Sequence, residues 1–513
     1  GELSETTRML QGALNSFVGQ GDMVGAYMPN IPETVLTMLG ASSLGAVFSS
    51  TSSDFGVSGV LDRFGQSGPK VLVAAIGYQY NGKYFDLTDR LKTLERELPS
   101  LEMLVIVDPF EKGVDIEQFE KGIMWDKFLE MGESHTLSFP KVPFSAPLYV
   151  MYSSGTTGTP KCIVHSVGGT LLQHVKELGL HTNVRSDKSI FYFTTCGWMM
   201  WNWLVSSLFF GAKVVLYDGS PGAPSLAEFF QIIDNEELNF FGTSPKFLRA
   251  LEDSGFEASS KLESLETILS TGAPLLPEQY DYIYNKLKKD VCVSSISGGT
   301  DILGCFMLGA PTRPVYRGEI QALGLGMDVD CFDDQGHSTR DREGELVCKQ
   351  SFPSRPIYFL NDESGQRMKK AYFERFPGVW HHGDFITLTS RETVMVFGRS
   401  DTTLNPGGVR IGTAEIYRQT ETLPYLVDAM CVGKKTPEGD VDVWLFLKMA
   451  EGESLDEDRI REIKKAIREN TTPRHVPVEI HAVKDIPYTR SGKKMEMAIT
   501  RILNGRRLDN MEA

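Results

Sequence analysis

Residues 152–161 read Tyr152-Ser153-Ser154-Gly155-Thr156-Thr157-Gly158-Thr159-Pro160-Lys161, and the apolar segment Pro147-Leu148-Tyr149-Val150-Met151 leads into them. A strand that opens into a run of hydroxyls and glycines ending on a lysine suits an anion. Small residues let backbone N–H groups converge, the hydroxyls add donors, and Lys161 adds a point charge. That is the chemistry needed to hold nucleotide phosphates. The spacing is not G-x-x-x-x-G-K-[ST], so this is not a Walker loop. The plain alternative is a polar surface loop, which such a concentration of small hydroxyl residues fits poorly.

Working outward, 513 residues leave room for several packed units, roughly three or four. A hydrophobic content of 41% and a charged content of 23% are those of a globular protein. The formal charge of −15, from 52 basic and 67 acidic residues, argues against non-specific nucleic-acid binding but not against a nucleotide site. The most apolar stretches, around 35–48 and 203–217, are short or interrupted by Ser, Gly and Lys, so no membrane span is expected. No signal peptide is visible, and the chain opens on Gly1, as a mature or trimmed N-terminus would. Seven scattered cysteines without C-x-x-C pairs fit a reducing, cytoplasmic setting.

Met9, Leu10, Leu14 and Phe17 fall on one side of an expected amphipathic helix over 1–18. Strands are expected at 22–28, 71–75, 103–107, 161–165, 189–194 and 213–217. Helices are expected at about 30–39, 169–179, 225–235 and 245–251. This alternation argues for layered α/β with largely parallel sheets. From about Gly318 short strands take over, at 323–328, 344–349 and 393–397. The cluster Asn405-Pro406-Gly407-Gly408, after Gly398-Arg399-Ser400-Asp401, marks a boundary. No internal repeat or low-complexity tract is present.

The decapeptide resembles the signature loop of the adenylate-forming superfamily of acyl-CoA synthetases, luciferases and carrier-protein adenylation domains. The resemblance runs over nearly the whole chain, and the branch of acetyl-CoA and acetoacetyl-CoA synthetases looks nearest. It implies an α/β fold. A large N-terminal domain of layered α/β sheets over 1–400 would contain a small β-barrel-like unit at about 318–398. A small mobile α+β C-terminal domain would follow at 401–513, with a hinge near Asp401. The family's large domain begins upstream of the helix on which this chain opens, so a fragment or a short member is expected.

Further motifs follow in family order. Ser153, Ser154, Gly155, Thr156, Thr157, Gly158 and Lys161 would hold the ATP phosphates. Thr271-Gly272-Ala273-Pro274, by itself only a strand-to-helix turn, matches the segment lining the adenine pocket, where glycine permits close backbone approach. Ser297-Gly298-Gly299-Thr300-Asp301 matches a segment usually ending Thr-Glu, whose acid faces Mg²⁺. Asp301 is one methylene shorter and would serve directly or through water. As plain structure this is a loop capped by Asp.

Trp380-His381-His382-Gly383-Asp384 pairs two histidines, but neighbours in a strand face opposite ways, and no Cys or acid stands at zinc-ligand spacing. By resemblance Asp384 binds the ribose hydroxyls and Arg399 supports the same sugar. Arg410 would contact the phosphates through its planar fork, although a lone Arg is usually a surface ion pair. Lys493, in Pro487-Tyr488-Thr489-Arg490-Ser491-Gly492-Lys493, matches the lysine that enters the site during adenylation. With Thr300 and Arg410 it forms the expected catalytic set.

The implied reaction has two halves. A carboxylate attacks the α-phosphorus of ATP, giving acyl-adenylate and Mg-pyrophosphate; the thiol of coenzyme A then displaces AMP. No covalent enzyme nucleophile is needed. One lysine cannot serve both halves, so the small domain would rotate about Asp401, and Asp401→Pro would stall one half by restricting φ. Gly407, Gly408 and Arg474 would meet CoA.

Acetyl-CoA synthetases carry a tryptophan three residues before the Mg²⁺ acid. Gly298 stands there and would open room for a larger acyl group, which Gly298→Trp would close. The other wall would be Trp198, Met199, Met200 and Asn202, with Thr271 below. Cys196-Gly197-Trp198-Met199-Met200-Trp201-Asn202-Trp203 resembles the acetoacetyl-CoA synthetase branch, although its aromatic and Met density equally suits a core. Asn202 would donate to a 3-keto oxygen. The expected partners are small molecules: ATP, acetoacetate and CoA. The open alternatives are another short- or medium-chain acyl-CoA synthetase, a carrier-protein adenylation domain, or a catalytically silent nucleotide-binding protein.

Overall fold

The computed structural model describes residues 1–153, 160–400, 404–409, 411–420, 423–488 and 494–505. An eight-stranded sheet runs in the order Tyr358–Phe359, Lys161–Ser166, Pro147–Ser153, Val47–Ser52, Met23–Met28, Val71–Ala75, Met103–Val107, Gly122–Met124. From Pro147–Ser153 onward the pairings are parallel; the other two are antiparallel. Apolar runs such as Val71-Leu72-Val73-Ala74-Ala75 are buried along their length because helices cover the sheet. A second sheet, all parallel, runs Lys213–Val215, Ser189–Tyr192, Phe240–Thr243, Thr267–Ser270, Cys292–Ser295.

Four smaller sheets remain among the described residues, one of them the two-stranded pair Gly77–Tyr80 and Lys83–Asp86. Ser297–Gly299, Gly304–Leu308 and Ala322–Leu323 form another. Val329–Phe332, Glu343–Cys348, Trp380–Leu388 and Val394–Arg399 form an antiparallel four-stranded sheet. Beyond residue 404, Leu426–Lys435, Val441–Met449 and Glu479–Val483 carry the helices Thr413–Thr420, Glu457–Asn470 and Glu496–Leu503 around their own apolar cluster. No helix among the described residues is long and apolar enough to cross a membrane.

Several expected elements differ. The first helix ends at Leu14, not residue 18, and Phe17 follows in a turn. The strand expected over 323–328 is absent: Gly324 and Gly326, the latter at φ 74°, break the run and leave Leu325 exposed. The helix expected over 169–179 is α-helical at Val167–Val175 and continues as a π-turn, Lys176–His181. The helix Gln366–Phe373, absent from the sequence reading, carries Tyr372 inward.

The C-terminal unit meets the body along the helix Val57–Ser67. Gly56 N–H donates to Thr471 O at 3.1 Å, Ser58 Oγ to Asn470 O at 2.6 Å, and Arg418 pairs with Asp62 at 2.8 Å. Glu415, buried, lies 3.2 Å from His475 and 4.0 Å from Arg63. A second contact is backbone on backbone. A Cβ on Gly272 (φ 100°) would meet Gly408 Cα at 2.8 Å, so both positions need glycine.

Candidate active site

A cavity of about 1060 Å³ opens between these units. Its walls include Ser153, Trp198, Met199, Met200, Thr271, Gly272, Ala273, Pro274, Gly298, Thr300, Asp301, Asp384, Arg399, Gly407, Gly408 and Arg474. Residues from eight separate stretches therefore converge. They sit largely at the ends of parallel strands, where open α/β sheets present ligands.

The opening stretch is the connection of a hairpin. Strands Pro147–Ser153 and Lys161–Ser166 pair with Ser153 opposite Lys161. Ser154, Gly155, Thr156, Thr157 and Gly158 lie outside the described residues, as do Asp401, Arg410 and Lys493. The stems are described. Ser153 is buried, and its hydroxyl has no hydrogen-bond partner among the described residues. Lys161 does not line the cavity. Its Nζ donates to Asp301 Oδ1 at 2.9 Å and sits 5.0 Å over the Tyr372 ring. Tyr372 OH donates to the same oxygen at 2.5 Å while its ring stacks on Trp380 at 3.8 Å. Asp301, 1% exposed, is thus a buried carboxylate held by an ammonium and a phenol.

Asp384 and Arg399 face each other across paired strands, and Arg399 Nη1 donates to Asp384 Oδ1 at 3.0 Å. Arg399 Nη2 donates to His382 O at 3.2 Å. The paired histidines diverge as strand neighbours must. His381 Nε2 lies 2.9 Å from Glu345, whereas His382 lies on the cavity, edge-on to Phe306. Among the described residues no cluster of three or more His, Cys, Asp or Glu could hold a metal. A single cavity-facing carboxylate such as Asp301 still fits Mg²⁺, which usually takes only one or two protein carboxylates and otherwise keeps water and phosphate oxygens.

Two acyl-pocket expectations are corrected. Asn202 does not reach the cavity. The helix Met199–Val205 meets it end-on, so Trp198, Met199 and Met200 of the first turn line it, while Trp201 to Val205 are fully buried. Gly298 lines the cavity, but not as a vacated side-chain position. A Cβ there would lie 2.0 Å from Gly304 O and 2.5 Å from Cys305 Cα, in the backbone of the paired strand. Gly299 is the position with room, its Cβ direction meeting only His382 Nε2 at 3.8 Å.

In the C-terminal unit, Arg474 Nη1 donates to Gly407 O at 3.1 Å, and Gly407 N–H to Asp440 at 2.8 Å. On either side of the undescribed segment containing Lys493, Tyr488 OH donates to Asp428 at 2.7 Å and Lys494 Nζ pairs with it at 2.9 Å. Neither lines the cavity.

Other cavity residues escaped the sequence reading: Asp54, Tyr78, Arg90, Asp218 and Lys246. Although Asp218 is exposed, desolvation by the cavity walls pushes its carboxyl up to about 6, opposed by the Asn30 N–H and reinforced by Asp54. Its position one residue past the run Lys213–Tyr217, at a parallel strand end, is the signal that was available.

A glycine-lined, cation-bearing cavity closed by a second unit is the arrangement of an adenylate-forming enzyme. The chain belongs to the AMP-binding enzyme family, whose pattern matches residues 1–358. It is 48% identical over 517 residues to the acetoacetyl-coenzyme A synthetase of Rhizobium meliloti (strain 1021), covering 100% of this chain and 79% of that protein. It is 45% identical over 503 residues to the acetoacetyl-CoA synthetase of Xenopus tropicalis, covering 96% and 75%. The solved acetoacetyl-CoA synthetase from Streptomyces lividans matches with a TM-score of 0.76 at 40% identity, over 99% of this chain and 78% of that one.

Proposed function

We propose that this chain is an AMP-forming acyl-CoA ligase that converts acetoacetate, ATP and CoA to acetoacetyl-CoA, AMP and diphosphate. The observation that carries the reading is the single cavity joining Asp301, the Asp384–Arg399 pair, the Trp198–Met200 wall and the Gly407–Arg474 edge. The relatives' names supply the acyl group.

In the first half-reaction the triphosphate lies against the 153–161 hairpin, with ribose hydroxyls on Asp384. That carboxylate, oriented by Arg399, accepts a hydrogen bond from each hydroxyl. Flat adenine lies against Gly272, Ala273 and Pro274. An acetoacetate oxygen then attacks the α-phosphorus in line, and diphosphate leaves. Catalysis consists of alignment and charge neutralisation, with Thr300, Arg410 and Lys493 at the phosphates. Mg²⁺, held at Asp301 directly or through water, would neutralise phosphate charge. Met199 and Met200 enclose the acyl chain. Asn202, which does not line the cavity, gives up its role as donor to the keto oxygen.

In the second half the CoA thiol enters past Gly407, Gly408 and Arg474, attacks the acyl carbonyl and releases AMP. With those residues on the cavity and the neighbours of Lys493 off it, the arrangement supports thiol transfer in this orientation, and rotation about Asp401 for adenylation. Seven unpaired cysteines support a reducing, cytoplasmic setting, and acetoacetate as the acid would place the reaction in ketone-body and lipid metabolism.

The test is acyl-CoA formation from acetate, butyrate, 3-hydroxybutyrate and acetoacetate with ATP and CoA. Acetoacetate should have the highest kcat/KM. Preference for another acid overturns the acyl assignment, and absence of carboxylate-dependent ATP–diphosphate exchange overturns the ligase reading.

A further inference from the structure

Four side chains of one continuous stretch, 165–181, pin the backbone of the hairpin that carries Gly298 to Asp301. His165 Nε2 lies 2.9 Å from Thr300 O, and His174 Nε2 lies 2.8 Å from Leu303 O. Glu177 Oε1 accepts Cys305 N–H at 2.9 Å, and His181 Nδ1 lies 2.7 Å from Gly309 O. A carbonyl only accepts, so each of these ring nitrogens carries the proton.

Two of the four also grip the opposite wall. Glu177 Oε2 accepts the Trp203 indole N–H at 2.9 Å, and His174 Nδ1 lies 2.8 Å from Ser206 Oγ. The helix bearing Met199 and Met200 and the hairpin bearing Gly298 and Cys305 both line the cavity. Both are therefore tied from behind to one helix.

Filling space does not account for this arrangement. Glu177 is fully buried, and a buried carboxylate is costly unless its lone pairs are filled. Here Gln173 Nε2 at 2.6 Å, Cys305 N and Trp203 Nε1 fill them, with Lys176 Nζ at 3.6 Å. Gly304 clears the approach, since a Cβ there would lie 2.7 Å from Gln173 Cγ and 3.0 Å from Glu177 Oε1. Gln173 Oε1 and Lys176 Nζ have no hydrogen-bond partner among the described residues, so it is the carboxylate with its three N–H donors that fixes one geometry where apolar contact would tolerate sliding.

We propose that Glu177, supported by His174, is the positioning residue that sets the separation of the two acyl-pocket walls and thereby the enzyme's acyl selectivity; this rests on the acyl-CoA ligase reading. Two carboxylate oxygens accept from three N–H donors. Glu177→Gln turns one of them into a donor facing Trp203 or Cys305, and the walls part.

The test uses the whole chain, with kcat and KM for acetoacetate, butyrate and hexanoate at saturating ATP and CoA. Glu177→Gln should lower the acetoacetate-to-hexanoate ratio of kcat/KM about tenfold, through the acid KM, with the ATP KM unchanged. Trp203→Phe keeps the ring but removes the N–H. It should relax the ratio less, and combined with Glu177→Gln it should recover part of the loss. A ratio equal to wild type in Glu177→Gln, or in Trp203→Phe where Glu177→Gln does not fold, overturns the proposal. So does an equal rise in all KM values. A wild-type chain that forms no acyl-CoA overturns the ligase reading itself; an active wild type with an unchanged ratio overturns only the clamp.

Discussion

Gly298→Ala should damage the protein far more than Gly299→Ala, although the two glycines are adjacent and both line the cavity. The added Cβ at 298 would lie 2.0, 2.5 and 2.8 Å from Gly304 O, Cys305 Cα and Gly304 C, all backbone atoms. No side-chain rotation relieves this, so the paired strands must separate. Overpacking of this kind costs about 1–3 kcal/mol. Losing one or two ladder hydrogen bonds adds roughly 0.5–1.5 kcal/mol each. The sum is about 3 kcal/mol, or a urea midpoint lowered by roughly 1 M at a slope of about 3 kcal/mol/M. At Gly299 the nearest atom is His382 Nε2 at 3.8 Å, an ordinary contact, so the cost should stay within about 0.5 kcal/mol. Tryptophan fluorescence against urea, together with acyl-CoA formation, measures both. The reasoning is refuted if Gly298→Ala unfolds within about 0.2 M of wild type, or if Gly299→Ala is the less stable of the two. Gly298→Trp, which the sequence alone proposes as a substrate switch, should yield a misfolded hairpin and no acetate preference.

Lys161→Ala removes the ammonium that donates to the buried Asp301 carboxylate and leaves the Tyr372 contact in place. That should cost about 3 kcal/mol, and Lys161→Ala with Asp301→Asn should regain more than half of it in urea titrations. Asp218→Asn should change stability with pH. The folded carboxyl titrates near 6 against an ordinary 3.8, so folding favours the protonated form. The penalty is absent below about pH 4 and complete above about pH 6, and solvent screening at this exposed residue keeps it well below the full electrostatic value. The variant should therefore melt higher than wild type at about pH 8 and level with it at about pH 4; an equal gain at both would contradict the assignment.

Local chemistry made much of the fold and site legible. Val71–Ala75 reads as a buried strand because its run is apolar throughout, and Thr267–Ser270 because Ile268 and Leu269 form its centre. The glycine and hydroxyl run after Met151 read as a phosphate loop because those residues have little other use together. Asp384 and Arg399 read as partners only through family order, and the strands do bring them to 3.0 Å. Register and depth were illegible. Asn202 looked available because nothing in Trp198–Trp203 says that the cavity meets that helix at its first turn. The expected strand over 323–328 failed on two glycines whose turn the apolar alternation concealed.

Residues 152–161 by their own chemistry, and the motifs after them through family resemblance, pointed to a nucleotide whose phosphates are addressed. They did so because anion binding needs particular atoms within a few residues of one another. The width of the acyl pocket depends on where a Cβ at 298 would point and on which backbone lies behind it. It depends equally on Glu177 reaching Cys305, 128 positions away. Such contacts are made across sheets between residues that share no local pattern, so only the tertiary structure decided them.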